Sequence, residues 1–128
     1  MRVYQQALPK IQALGASLIA ISPQSPDHSQ ATLLKNFLQY EVLSDLGNRV
    51  ARQFGLVYPI GRELHRVYGE LGIDLAAYNA DDSWELPLPG TFVVGPDLVV
   101  NLAYVNADYR KRLEPAAILR TLAEMAKP

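Results

Sequence analysis

The chain contains no cysteine among its 128 residues. Whatever fold it adopts therefore rests on apolar burial and backbone hydrogen bonding, without disulfides or thiolate-bound metal. Its length and its 49% hydrophobic content make that feasible, because a domain of this size can bury enough apolar surface to fold unaided. The same absence removes thiolate nucleophiles and CxxC redox pairs. Imidazole chemistry is scarce as well, with His28 and His65 the two histidines. The net charge is −1, from 12 basic and 13 acidic side chains spread along the chain. No basic run is present to neutralise a phosphate backbone, so a nucleic-acid partner is not expected. No apolar run approaches the roughly 20 residues that span a bilayer. The first six residues, MRVYQQ, lack the apolar core of a signal peptide. The expected setting is cytoplasmic, with no membrane partner.

Helical and strand-like periods alternate along the chain. Residues 2 to 14 predict a helix with Tyr4, Leu8 and Ile11 on one face, ended by Gly15 and kinked or restarted at Pro9. Ser17 to Ser22 (SLIAIS), bounded by Gly15 and Pro23, predicts a buried parallel strand. Ser25 and Pro26 open a second helix as N-cap and first position, with Leu33, Leu34, Phe37 and Leu38 facing inward. Glu41 to Leu43 predicts a short strand. Asn48 caps a brief helix with Val50 and Phe54 inward, stopped at Gly55, and Asp45, Asn48 and Arg49 all suit a turn and helix cap. Leu64, Val67, Tyr68 and Leu71 form a further helical stripe, closed by Gly72. Residues 73 to 90 form a long irregular connection, of the kind that often carries function. Thr91–Val94 and Leu98–Val105, separated by Gly95-Pro96-Asp97, predict an antiparallel hairpin. The last helix starts near Glu114-Pro115, with Ile118, Leu122, Leu119 and Met125 as its stripe. The order is α-β-α-β-α-α-β-β-α, an α/β layout with a mixed sheet.

Three segments carry a family resemblance. Gly15–Gln24 (GASLIAISPQ) resembles the second core segment of the peroxiredoxin-like proteins of the alkyl hydroperoxide reductase/thiol-specific antioxidant (AhpC/TSA) superfamily. Val42–Leu56 (VLSDLGNRVARQFGL) is similar to their strand, aspartate turn and short helix. Leu86–Val94 (LPLPGTFVV) is similar to their proline loop and the strand after it. Order and spacing match too, and the likeness covers nearly the whole chain. It implies a thioredoxin-like, peroxiredoxin-type three-layer α/β sandwich with a mixed sheet. Residues 1–128 would form a single such domain, incomplete at its N-terminus. Pro89 would be the loop proline facing the active site, and the likeness implies a cis Leu88–Pro89 bond. The hairpin departs from the family pattern at Gly95 and Leu98, where Asp-x-Asp-Gly is usual.

In the family, the reactive cysteine lies at the start of the helix that matches residues 2 to 14, after a strand absent from this sequence. The missing strand would lie between those matching 17–22 and 91–95. Peroxide reduction needs a thiolate activated by a helix N-terminus and a nearby cation. The alcohols of Thr91 and Ser22 are too basic and too weakly nucleophilic to replace it. The family implies a thiol peroxidase or thiol–disulfide oxidoreductase; this chain by itself is expected to be inactive, with no catalytic residue and no cofactor. Removing a central strand leaves two rows of backbone polar groups, each costing about 1–3 kcal/mol if buried unpaired. The two strands then close up, or a neighbouring chain fills the gap, or the piece is unstable alone. A homo-oligomer formed by edge pairing or strand exchange is expected, with a protein or peptide ligand as a further partner.

Other residues have plainer readings. Asp27-His28-Ser29 has triad residue types, but neighbours on a helix point apart and cannot form the relay. His65 stands among Arg62, Glu63 and Arg66 on a polar face. Asp81, Asp82 and Glu85 lack the glycine turn and alternating ligands of a calcium loop, so no metal site is expected. Tyr78, Trp84, Pro89 and Thr91 are the candidate binding groove around the proline loop.

Overall fold

The computed structural model describes residues 2–74, 85–108 and 110–127. They divide into two compact units, one of Met1–Leu18, Leu38–Tyr40 and Leu88–Pro128, the other of Ile19–Phe37 and Glu41–Pro87.

The first unit is built from helix α1 (Arg2–Ala13), a hairpin and a C-terminal helix. Ala7, Leu8 and Ile11 are buried along α1, in keeping with the apolar stripe. Pro9 lies inside the helix without ending it. Gly15 stops it at φ 81°, a left-handed conformation that costs glycine least. Strands β5 (Gly90–Val94) and β6 (Val100–Val105) pair antiparallel, as expected, with a bulge where Val93 faces Leu102 and Val94 faces Val100. The C-terminal helix, labelled α5 below (Pro115–Met125), has Pro115 in its first turn and buries Ile118 and Leu122. Ala7, Ile11, Val93, Ile118 and Leu122 form the core, with Tyr4, Leu119 and Met125 packed on it. Two ties reinforce this core. The Tyr4 hydroxyl donates to the Leu113 carbonyl at 2.7 Å, and Gln5 accepts from the Gln39 amide at 2.7 Å.

The second unit contains β1 (Ile19–Ser22), α2 (Pro26–Lys35), β2 (Glu41–Ser44), a 3-10 turn (Leu46–Asn48), α3 (Arg49–Gln53), β3 (Val57–Pro59), α4 (Arg62–Glu70) and β4 (Glu85–Pro87). β1 pairs parallel with β2, Ile19 opposite Glu41 through Ser22 opposite Ser44. β3 and β4 pair antiparallel. Among the described residues the strands thus form three two-stranded ladders. Ser25 caps α2 and Pro26 opens it, as the sequence indicates.

Several expected inward faces are open. Ile19 and Ile21 are 52% and 47% exposed, so β1 is covered on one face only. The period-two pattern of burial runs through β2 as well, with Leu43 on the exposed set. In α2 the buried residue is Ser29, whose hydroxyl pairs with that of Ser44 at 2.7 Å. Leu34 is exposed, and Phe37 lies beyond the helix end at φ 54°, out of helical phase and 82% exposed. Val50 and Phe54 are exposed because α3 is five residues long and too short to present a continuous stripe. Leu64, Val67 and Leu71 of the α4 segment are likewise exposed.

The hairpin turn explains its departure from the family pattern. A Cβ at Gly95 would lie 2.7 Å from Asp97 Oδ1 and 3.1 Å from Asn101 Nδ2, so those two side-chain ends would have to move to admit one. Leu98 holds φ 66° while 85% exposed. A non-glycine residue in this region carries strain of about 1–2 kcal/mol, partly offset by the larger unfolded-state entropy of glycine, about 0.5–1 kcal/mol. Leu98→Gly should therefore raise Tm by a few degrees in calorimetry. A lower Tm would show that the leucine makes packing its exposure denies.

Candidate functional site

The proline loop joins β4 to β5. Its bond at Pro89 is trans, since the described residues contain no cis peptide. This corrects the cis geometry implied by the family. Trans is the default by about 0.5–1 kcal/mol, and Pro89, which has no N–H to give, sits immediately before the first ladder residue, Gly90. Tyr78 and Trp84 lie outside the described residues, so of the four groove residues the structure places Pro89, half-buried, and Thr91.

Thr91 lines a larger feature within the first unit. An open slot of about 440 Å³ runs between β5 and the extended segment that follows α1. Ala16, Ser17 and Leu18 form one wall and Thr91–Val94 the other. The floor is apolar, made by Ile11 of α1 and by Ile118, Leu122 and Met125 of α5. No side chain around the slot carries a charge. The hydroxyls of Ser17 and Thr91 are the polar side-chain groups available there. Such a space can hold an apolar ligand, but it offers neither an acid, a base nor a nucleophile of useful strength. Tyr78, Trp84 and Pro89 drew attention in the sequence as aromatic and loop residues. Ala16, Ile11 and Met125 did not, because small and aliphatic residues read as ordinary core until their neighbours in space are known.

Polar clusters elsewhere are structural. Asp45, buried, takes the Val50 amide at 3.0 Å and the Ala51 amide at 3.0 Å. It caps α3 in the role the sequence gave to Asn48, which sits at φ 56° and makes no cap bond. Asn48 instead donates from Nδ2 to the Glu85 carbonyl at 3.0 Å, leaving Oδ1 buried without a partner. Glu85 pairs with Arg52 at 2.6 Å. His28 Nδ1 lies 2.7 Å from the Ser25 hydroxyl, while Ser29 turns to Ser44, so the three triad residue types do not converge. Asp81 and Asp82 lie outside the described residues, among which no group of three or more acidic or histidine side chains could hold a metal ion.

A thioredoxin-like α/β protein is the class these elements define, and comparisons with known proteins agree. The sequence profile of the AhpC/TSA family matches residues 1–103. The chain belongs to the AhpC/TSA family. Among solved structures it is similar to a cysteine-to-serine mutant of peroxiredoxin 6 from Arenicola marina, with a TM-score of 0.65 and 18% identity. That match covers 97% of this chain and 52% of the other, so the chain spans about half the length of its structural relative. No curated protein matches it.

Two predictions follow from the polar groups. Asp45→Ala removes the cap of α3 and should cost about 1–2 kcal/mol in urea unfolding; an unchanged midpoint would mean that the cap is dispensable. Burial raises the phenol pKa of Tyr40, with Tyr4 adding as a like charge, and burial with Tyr68 does the same for Tyr58. The folded state thus holds these protons more tightly than the unfolded state. Their contribution is complete below the ordinary value of 10.0 and is lost as pH rises through the raised values. Stability measured across the alkaline range should fall, and Tyr58→Phe should flatten part of that slope; an identical slope would contradict the assignment.

Proposed function

We propose that these residues form a peroxiredoxin-like, single thioredoxin-type domain that binds polypeptide or a second copy of itself and does not reduce peroxide unaided. The observation that carries this reading is the cysteine count of zero. Reduction of a hydroperoxide by this family's chemistry needs a thiolate that attacks the peroxide oxygen and is afterwards re-reduced. The slot walls offer only alcohols, whose deprotonation at neutral pH is negligible beside that of an activated thiol. The exposed apolar residues of β1 and β2 support association, and so does β5, which pairs on one side only in the described ladders. A homo-oligomer in the cytoplasm is the expected form. No helix among the described residues is long and apolar enough to cross a membrane.

A second reading is favoured by the 52% coverage of the structural relative. In it, a redox-active thiol is supplied by polypeptide outside these residues, and the chain contributes the scaffold to an antioxidant oxidoreductase. The purified 128-residue chain should consume hydrogen peroxide at the buffer rate when given a thiol reductant, and should scatter light as a dimer or larger species at micromolar concentration. Turnover above the buffer rate would overturn the first reading. A stable monomer would remove self-association from it.

A further inference from the structure

We infer that Glu85 is a latch through which Asn48 and Arg52 hold β4 in place, and that β4 opens as a small, salt-sensitive piece while the rest of its compact unit stays folded. The latch operates whether or not the chain binds polypeptide.

The ladder alone gives β4 little hold. β3 and β4 are three residues each and end in Pro59 and Pro87. Neither proline has an N–H, so neither donates to the partner strand. The register sets Tyr58 opposite Leu86, flanked by Val57 opposite Pro87 and Pro59 opposite Glu85. Facing residues of an antiparallel pair alternate between exchanging both backbone bonds and exchanging none. A proline cannot stand in a pair of the first kind, which leaves Tyr58 and Leu86 as the bonded pair. Burial does not make up the difference. No residue of either strand is fully buried, and Tyr58 is 36% exposed. Short ladders with little buried apolar surface are where proteins open first.

Two side chains supply what the ladder lacks, and both act on Glu85. Asn48 Nδ2 donates to its carbonyl at 3.0 Å. Arg52 Nη2 donates to its carboxylate at 2.6 Å and reaches the Gly47 carbonyl at 3.4 Å. All four residues belong to the same compact unit. The closed latch is not free of strain. Asn48 sits at φ 56°, left-handed for a residue with a side chain, and its Oδ1 is buried with no partner. Opening gives that oxygen water and frees the backbone. The Arg52–Glu85 pair is reached by solvent, with 57% of the arginine side chain and 29% of the glutamate side chain exposed, so dissolved ions weaken it. One charge pair and one amide bond thus favour the closed form, and salt acts on the first. Leu88 and Pro89 follow β4 directly, so the strand that is released is the one leading into the proline loop.

The test is amide exchange of the full chain followed by NMR at about 0.01 M and about 1 M sodium chloride, between which the screening length falls from about 30 Å to about 3 Å. Tyr58 and Leu86 report on the latch, and Leu33 inside α2 reports on the same unit as a whole. Tyr58 and Leu86 should exchange about threefold faster at high salt, with Leu33 unchanged. Arg52→Gln, which removes the charge, should speed these two amides about two- to fivefold at low salt and abolish their salt dependence. Asn48→Gly, which suits the left-handed backbone but has no Nδ2, should speed them about two- to tenfold with little change in the urea midpoint. Exchange of Tyr58 and Leu86 at the Leu33 rate in both salts would show that β4 opens only with its whole unit, and would overturn the latch. Salt dependence that persists in Arg52→Gln would overturn it too. If that variant does not fold, the salt comparison on the unaltered protein decides, and equal exchange of Tyr58 and Leu86 at both salts rejects the latch.

Discussion

Buried backbone must be paired, and this requirement shapes most of what is unusual in the molecule. β5 contributes Val93 to the core at 6% exposure, yet its ladder extends to one side only. A strand with one face against a packed core and one edge open is costly if the open groups are also dry. The slot resolves this by staying accessible, so solvent can reach the β5 edge. Accessibility in turn makes the edge available to another strand. Among the described residues the strands form three ladders of two strands each.

Chemistry is limited by a second constraint, independent of the first. Peroxiredoxin-type catalysis depends on one atom, and no residue here carries it. Asp45, Asn48, Ser25 and His28 contain groups that catalyse reactions in other settings. Here Asp45 holds the amides of α3, Asn48 holds the Glu85 carbonyl, and Ser25 caps α2. The bonds that Asp45 and Asn48 make are directed at backbone, whereas Ser25 also meets His28 Nδ1 at 2.7 Å. The lining of the slot is apolar apart from the hydroxyls of Ser17 and Thr91.

Much of this was legible from residue order. Helix α1 with its Gly15 stop, the strand in SLIAIS, the Ser25-Pro26 start of α2, the β5–β6 hairpin and the apolar stripe of α5 all follow from local rules. Those rules work because capping, turn formation and side-chain period are short-range. The misses are long-range. Phe37, Val50 and Leu64 fit inward positions by period, but burial needs a partner surface as well as a pattern. Asp45 and Asn48 both suit a turn and cap by residue type, and the 3-10 turn decides between them by bringing the earlier carboxylate to the helix start. The slot between residues 16–18 and 91–94 had no sequence signal of its own. Its floor was invisible in sequence, since it draws on α1 and α5, helices at opposite ends of the chain.

β5 pairs with β6 in the described ladders, and the state of its other edge is the feature on which the functional account depends most. Native-state hydrogen exchange of the free protein, resolved by residue over Gly90–Val94, tests it directly. The account predicts an alternating pattern, with amides that face β6 protected and those that face the slot exchanging orders of magnitude faster. Uniform protection along β5 would mean that its second edge is already paired, and the account would fail.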